Sequence, residues 1–125
     1  DPVPDNPYTE NPVVTRRVEA ILKMTRIREG YCLELGCGDG QLAYELAKRT
    51  DPTIFAVDED LAVVQRARRK LSAAGVYGDR VTVHHAPLHA TGYPQYFANL
   101  VISSRAFAED LEQRAEEEVL RLQRP

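Results

Sequence analysis

The chain is 125 residues long, the length of one ordinary domain, and 43% of its residues are hydrophobic and 28% charged. Its formal net charge of −3 gives no sign of the basic surface that general nucleic-acid binders use. No apolar run approaches the roughly 18 residues of a membrane span, and no secretory signal peptide is recognisable. The two cysteines, Cys32 and Cys37, are too few for a disulfide scaffold, so we expect reduced thiols and a cytoplasmic protein.

Proline and helix signals divide the start of the chain into an arm and a helix. Residues 1–12 hold four prolines and are predicted to form an extended N-terminal arm, ahead of a domain spanning residues 13–125. Asn11 and Pro12 are typical of a helix start, and Gly30 of a helix end. The inward face of this helix is predicted to be Val14, Val18, Ile21, Leu22 and Thr25.

Strands and helices then alternate along the chain. Apolar runs predict buried strands at residues 31–35, 53–57, 80–85 and 100–103. Helical periodicity predicts helices at residues 41–49, 60–74 and 106–123. The inward residues of the second of these are predicted to be Leu61, Val64, Ala67, Arg68 and Leu71. This alternation is typical of βαβ units, so we predict an α/β fold with a mainly parallel sheet and helices on both faces.

A glycine-rich segment follows the first strand and opens the next helix. It reads Glu34-Leu35-Gly36-Cys37-Gly38-Asp39-Gly40. In open parallel sheets, ligands bind beyond the carboxyl ends of the strands, and glycine lets a ligand approach the backbone closely. Asp58 ends the second strand 22 positions after Gly36, a separation at which an acid can accept hydrogen bonds from ribose hydroxyls. These residues predict an adenosine-type ligand.

Charge separates the classes of adenosine ligand. Glu34 and Asp39 are predicted to lie around the loop, with Asp58, Glu59 and Asp60 at the next strand end. They would repel a pyrophosphate but suit a ligand that carries an ammonium and a sulfonium group. Gln41 also stands where a dinucleotide fingerprint has its third glycine. A nicotinamide-dependent oxidoreductase is therefore disfavoured.

At these residues the sequence resembles the class I S-adenosylmethionine-dependent methyltransferase family, whose first motif is an acid, one residue and then Gly-x-Gly-x-Gly. Glu34, Gly36, Gly38 and Gly40 match this motif in step, and the resemblance covers roughly residues 14–122. It implies a Rossmann-like three-layer sandwich, S-adenosyl-L-methionine as cofactor, and methyl transfer to an unidentified acceptor. The reaction needs mainly alignment, so no catalytic side chain is assigned. The alternative is a non-catalytic cofactor-binding or degenerate interaction domain.

The resemblance also implies roles for individual residues. The backbone from Gly36 to Gly38 would line the methionine part of the cofactor, with Glu34 at its ammonium end. Asp58 would hold the ribose hydroxyls, and Glu59 would lie beside the adenine. Pro87 stands where the family has an acid near the adenine, which leaves Leu88 to cover the ring. The predicted cofactor-binding set is Glu34, Gly36, Cys37, Gly38, Gly40, Asp58, Glu59, Leu88 and Ser103.

The last predicted strand departs from the family in two ways. Asn99 replaces an aspartate at its start, which would remove a charge at the edge of the site. The family's sheet has seven strands, whereas four are predicted here, in the order 3-2-1-4, so the chain resembles a truncated N-terminal portion. The strand at residues 100–103 would then be an open edge. We expect either a homodimer through this edge or a missing C-terminal segment.

Several side chains outside the motif invite a functional interpretation. His84 and His85 point to opposite faces of a strand, and Pro87 interrupts helical spacing between His85 and His89, so no metal site is predicted. His85 as a general base stays open as an alternative. Tyr8, on the arm, is interpreted as part of a disordered tail, with a lid over the cofactor as the alternative.

Overall fold

A computed structural model of the chain describes residues 6–24, 30–103 and 117–124. Its elements are α1 (Pro12–Met24), β1 (Tyr31–Leu35), α2 (Gln41–Arg49), β2 (Thr53–Asp58), α3 (Leu61–Ala73), β3 (Val81–His85) and β4 (Leu100–Ser103). Residues 117–122 are also helical. Each element from β1 to β4 begins and ends within one residue of its predicted bounds. Thr25 and residues 106–116 of the predicted last helix lie outside the described residues.

The four strands form one parallel sheet in the order β3-β2-β1-β4. This order confirms the prediction. In register, Leu35 at the end of β1 is opposite Val57 of β2 and Ser103 of β4. The carboxyl ends of these three strands therefore meet at one edge of the sheet, where the glycine loop begins.

Side-chain caps begin two of the helices where the sequence predicts. The Asn11 Oδ1 accepts hydrogen bonds from the backbone N–H groups of Val13 at 3.0 Å and Val14 at 3.4 Å, which starts α1. The Asp60 Oδ1 does the same for Ala62 at 3.0 Å and Val63 at 3.4 Å, which starts α3. Asp60 is thereby committed to holding a helix end.

One face of the sheet is covered by α1, α2 and α3. Buried members of this core are Val18, Leu42, Ala43, Leu46, Ala47, Val64, Ala67 and Leu71, packed on Cys32, Ile54, Ala56, Val81 and Val83. The prediction that Leu61 points inward is wrong, because this first residue of α3 is 48% exposed. Arg68 is turned toward the sheet, where its Nε and Nη2 donate to the Val83 carbonyl at 3.0 and 2.8 Å.

The opposite face is covered by residues 86–98 and the helical residues 117–122, which enclose a second core. Its buried members are Leu33, Leu35, Val57, Leu88, Ala98, Val101 and Leu122. Phe97 stacks on Tyr31 and on Tyr93, with ring centroids 5.2 and 4.7 Å apart. In the described part of the chain, this face carries one short helical segment where the other face carries three helices.

The outer edge of β4 is less open than expected. The chain after residue 121 lies beside the start of this strand: Ala98 N–H donates to Leu122 O at 3.0 Å, and Arg124 N–H donates to Ala98 O at 2.9 Å. Further along, Val101 N–H donates to the Gln123 side chain at 3.2 Å. These bonds satisfy backbone groups that an edge strand would otherwise leave to solvent.

The expectation that Asn99 borders the site is wrong. Its Oδ1 accepts a hydrogen bond from Tyr31 N–H at 2.9 Å, at the start of β1. In a parallel sheet the starts of the strands lie at the edge opposite their carboxyl ends, so Asn99 is remote from the glycine loop and does not border the site. Its amide instead joins the first residue of β1 to the start of β4. Among the described residues, no helix combines the length and apolarity needed to cross a membrane.

Candidate cofactor site

The glycine loop leaves β1 in a sharp turn that is fastened to β2. Gly36 N–H and Cys37 N–H both donate to the Val57 carbonyl, at 2.8 and 3.2 Å. Gly36, Gly38 and Gly40 have φ angles of 76°, 57° and 88°, in the left-handed region that side chains with a Cβ rarely adopt. The Gly-x-Gly-x-Gly spacing is therefore explained by backbone geometry at all three glycines.

The carboxylate of Asp58 connects this loop to the next helix. Its Oδ2 accepts from Gly38 N–H at 3.1 Å and its Oδ1 accepts from Asp60 N–H at 3.1 Å. The residue is 1% exposed. Hydrogen bonds to a charged acceptor are stronger than neutral ones, so Asp58 holds Gly38 in place beside the end of β2.

The arm packs behind the loop, so the expectation of a disordered tail at Tyr8 is wrong. Tyr8 is buried, its Oη donates to the Asp39 carbonyl at 2.7 Å, and its ring lies 5.2 Å from that of Tyr44. Thr9 O also accepts from the Gln41 side chain at 2.6 Å. A Cβ on Gly40 would lie 3.0 Å from the Tyr8 Oη, so glycine at this position also makes room for the arm.

Two of the acids at the loop and the next strand end have structural partners. The Lys70 Nζ lies 3.1 Å from the Asp39 Oδ2, so the charge of Asp39 is largely compensated. Asp60 caps α3. Glu34 and Asp58 are buried at the loop, at 0% and 1% exposure. Asp39 and Asp60 therefore also stabilise the fold.

A groove of about 350 Å³ opens between the loop and the first turns of α1. Its lining residues are Asn11, Val13, Val14, Arg17, Glu34, Gly36, Cys37, Gly38, Asp39, Gln41 and Leu42. Four members of the predicted cofactor-binding set, Glu34, Gly36, Cys37 and Gly38, are thus brought together in one concave site. The other wall of the groove is formed by α1, which lies outside the glycine motif.

The remaining predicted residues lie outside this lining. Gly40 is the N-cap residue of α2, and Asp58 adjoins the loop through its bond to Gly38. Glu59 is partly exposed at the end of β2, where its carbonyl lies 3.0 Å from the His85 Nε2. Leu88 is buried in the second core, so its side chain contributes to packing. The backbone of Ser103 ends β4, while its side chain lies outside the described part of the structure.

Both cysteines are free, buried thiols. Burial, followed by the nearby Glu34 and Asp58 charges, raises the pKa of Cys37 far above its usual value. Burial and then Glu34 raise the pKa of Cys32 to about 12. Because the thiolate is the reactive form of cysteine, neither residue is suited to be a nucleophile.

His84 and His85, the last two residues of β3, have separate contacts. The His84 Nδ1 is hydrogen-bonded to the Tyr93 hydroxyl, whereas the His85 Nε2 faces the Glu59 carbonyl. Since a carbonyl only accepts, the His85 Nε2 must carry the proton in that contact. No group of three metal-ligating side chains occurs within residues 6–24, 30–103 and 117–124.

Sequence reasoning missed two residues at this site, Arg17 and Lys70. Arg17 had a usable signal, because it lies three residues after Val14 and four before Ile21, on the inward stripe of α1. Lys70 had none, since its partner Asp39 is 31 positions away and the two meet only because α3 lies beside the glycine loop.

Comparison with known proteins places the chain in a family. Residues 32–125 match the family described as a methyltransferase domain. An uncharacterized methyltransferase of Mycobacterium bovis is 34% identical over 70 residues, which cover 56% of this chain and 35% of that protein. The match to Mycobacterium tuberculosis H37Rv has the same extent. The chain thus spans about a third of the length of these curated relatives.

Solved structures agree with the observed fold. A candidate S-adenosyl-L-methionine-dependent methyltransferase of Methanococcus maripaludis superposes with a TM-score of 0.82 at 27% identity, covering 90% of this chain and 51% of that one. The cyclase SpnF also reaches a TM-score of 0.82, at 21% identity, covering 97% of this chain and 45% of that one. The similarity to SpnF, at this low identity, shows the shared fold alone. With its glycine loop, its sheet order and the family match over residues 32–125, the chain belongs to the methyltransferase domain family.

Proposed function

We propose that this chain binds S-adenosyl-L-methionine beside the glycine loop and takes part in transferring the methyl group to an acceptor. The observation that carries the proposal is the buried Asp58 carboxylate, which is hydrogen-bonded to Gly38 N–H at the end of β2. Family membership supports methyl transfer. The name of the Methanococcus maripaludis neighbour supports the cofactor.

The residues around the loop fit this cofactor. A Cβ placed on Gly38 would meet nothing within 4 Å, so there is open space in which a ligand can approach the backbone. Glu34 and Asp58 are both buried beside this space and favour a cationic group over a phosphate. This charge pattern also argues against a dinucleotide, which would bring two negative phosphates close to the same carboxylates.

When bound, S-adenosyl-L-methionine supplies a methyl carbon activated by its sulfonium group. The chain's own residues would bind and align it. The Asp58 carboxylate lies at the end of β2, where it accepts from the N–H groups of Gly38 and Asp60. Holding the ribose hydroxyls is the role that the family resemblance assigns to this residue. Glu34 would favour the ammonium end, and holding the reactants in line accounts for much of the rate.

The fold by itself does not select this reaction, because the cyclase SpnF has the same architecture. The alternative, a binding or interaction domain without turnover, differs from an enzyme in one measurable way. An enzyme transfers the labelled methyl group of S-adenosyl-L-methionine to at least one acceptor in a panel of small molecules, proteins and nucleic acids. A binding domain gives heat on titration and no transfer.

We also propose a cytoplasmic location and a partner contact through the outer edge of β4. Buried free thiols at Cys32 and Cys37 are what a reducing compartment favours. The sheet as described has no strand beyond β4, although the Gln123 side chain occupies the Val101 N–H. A second copy or a further segment would add one. Sedimentation velocity over a range of concentrations distinguishes a dimer from a monomer.

Isothermal titration with S-adenosylhomocysteine tests the cofactor assignment. We expect the wild type to bind and Asp58→Asn to bind at least about tenfold more weakly, because an amide has one acceptor oxygen and turns an NH₂ toward a backbone N–H. Asp79→Asn is the control, since Asp79 is exposed. Absence of heat with the wild type refutes the cofactor, and unchanged binding by Asp58→Asn refutes the role of this carboxylate.

A further inference from the structure

We infer that Tyr8 is a positioning residue, which holds the glycine loop in the conformation that binds the cofactor. The inference rests on the proposed function and extends it to a residue outside the motif. Tyr8 belongs to the first core, whereas Gly36, Cys37, Gly38 and Asp39 line the groove. Tyr8 therefore acts on the loop from the core side, through the backbone of Asp39.

The loop needs an external restraint because its glycines allow many conformations. Gly36, Gly38 and Gly40 all have positive φ angles. Glycine loses more conformational freedom on ordering than any other residue. A ligand must supply this ordering free energy unless the free protein already holds the loop in its binding conformation. Asp58 holds Gly38 from the β2 side, and the arm holds the residue that follows.

That residue, Asp39, is fixed by two groups. The Tyr8 Oη donates to the Asp39 carbonyl at 2.7 Å. The Lys70 Nζ lies 3.1 Å from the Asp39 Oδ2 and 5.3 Å from the centroid of the Tyr8 ring. The backbone and the side chain of Asp39 are thus held by two groups that also contact each other. Burial, followed by the charge of Asp39, raises the pKa of Tyr8, so its hydroxyl remains a donor above neutral pH.

Tyr8 can restrain the loop because the arm is itself fastened to α2. The Tyr8 ring lies 5.2 Å from that of Tyr44, which is a buried residue of α2. The carbonyl of Thr9, the next residue of the arm, accepts from the side chain of Gln41 at 2.6 Å. Gln41 is the first residue of α2. The Tyr8 hydroxyl therefore has a fixed position from which to hold the loop.

Tyr8→Phe tests this role, since it keeps the ring and removes the bond to the loop. Loss of one neutral hydrogen bond should make the open loop about fivefold more populated. The Gly40 N–H, which donates to the Cys37 carbonyl at 3.1 Å, should then exchange with solvent about fivefold faster by NMR. S-adenosylhomocysteine should bind about two- to fivefold more weakly in calorimetry, because only the closed loop binds. Lys70→Gln, which releases the side chain of Asp39, should act in the same direction.

Two controls separate loop positioning from general stability. Tyr96→Phe removes a hydroxyl from an exposed ring. Glu118→Gln removes bonds to Thr91 and Arg121, which lie on the opposite face of the sheet. Both variants should leave the Gly40 exchange rate and the ligand affinity unchanged, because a loop opens locally, without global unfolding.

Several results would overturn the role of Tyr8. Unchanged Gly40 exchange in Tyr8→Phe would mean that the loop does not depend on this bond. Faster exchange with unchanged affinity would mean that the held conformation is not the binding one. An equal effect of Glu118→Gln would reduce Tyr8 to a general stabilising role. Absence of binding by the wild type refutes the proposed function, whereas wild-type binding that Tyr8→Phe leaves unchanged refutes the role of Tyr8 alone.

Discussion

The carboxylate of Glu118 holds the second core closed, and neutralising it should destabilise the domain measurably. This residue accepts from Thr91 N–H at 2.8 Å and from Thr91 Oγ1 at 2.7 Å. It also accepts from Arg121 Nε at 2.6 Å and Nη2 at 3.0 Å. The side chain is 5% exposed. Glu118→Gln removes the charge and one acceptor oxygen, so the segment at residues 86–98 loses one of its attachments to the helical residues 117–122.

The size of the effect follows from the pKa of Glu118. Burial alone would raise it, but hydrogen bonds from Arg121 and Thr91 outweigh burial and lower it from 4.5 to about 2. A change of this size corresponds to at most about 3.5 kcal/mol, since each pKa unit is worth about 1.4 kcal/mol. Arg121 is 37% exposed, so solvent screening reduces the expected loss to about 2 kcal/mol.

The pH dependence has a definite sign. A carboxyl group whose pKa is lowered in the folded state stabilises the protein above its unfolded pKa, and this contribution disappears as the pH falls through the folded pKa. The wild type should therefore lose the contribution of Glu118 between about pH 5 and pH 2, whereas Glu118→Gln lacks it throughout. The difference in unfolding free energy between the two proteins should shrink over this range.

Urea unfolding followed by circular dichroism, at several pH values from about 7 to 2, measures this difference. Glu117→Gln is the matched control, because Glu117 is the exposed neighbour on the same helical stretch. We expect about 2 kcal/mol for Glu118→Gln at neutral pH and less than about 0.5 kcal/mol for the control. A loss for Glu118→Gln that stays constant down to pH 2, or that equals the control, would refute this account.

Three further comparisons test the arm, the segment before β4 and the glycine loop. Tyr8→Phe removes the 2.7 Å bond to the Asp39 carbonyl and should cost about 1 kcal/mol in urea unfolding, while Tyr96→Phe, at an exposed ring, should cost nothing measurable. Tyr96 has a φ of 57°, in the left-handed region. Tyr96→Gly should therefore raise the melting temperature, because it relieves backbone strain of about 1 kcal/mol. A similar gain from Tyr96→Ala, which keeps the Cβ, would argue against strain. Gly40→Ala should lower the melting temperature more than Gly38→Ala. Both residues have positive φ, but only a Cβ on Gly40 would lie 3.0 Å from the Tyr8 Oη. Equal losses would mean that the arm moves aside without a loss of stability.

Elements determined by local pattern were predictable from the sequence. Alternating apolar runs and helical stripes predicted the elements from β1 to β4 to within one residue, and Asn11 predicted the start of α1. Glycine spacing predicted the loop, because positive φ angles at Gly36, Gly38 and Gly40 are a property of the backbone itself. Asp58 was predictable because it ends the second strand, at a short spacing from the glycine loop.

The sheet, the loop and the family were predictable because they depend on periodicity and short spacing. Which charges meet depends on how the helices pack. Lys70 compensates Asp39 across 31 positions, and Asn99 joins the starts of two strands far from the site it was predicted to border. Arg17 enters the groove because α1 packs against α2 and the sheet. Contacts between residues distant in sequence follow from how the helices pack on the sheet, and no local pattern encodes that packing.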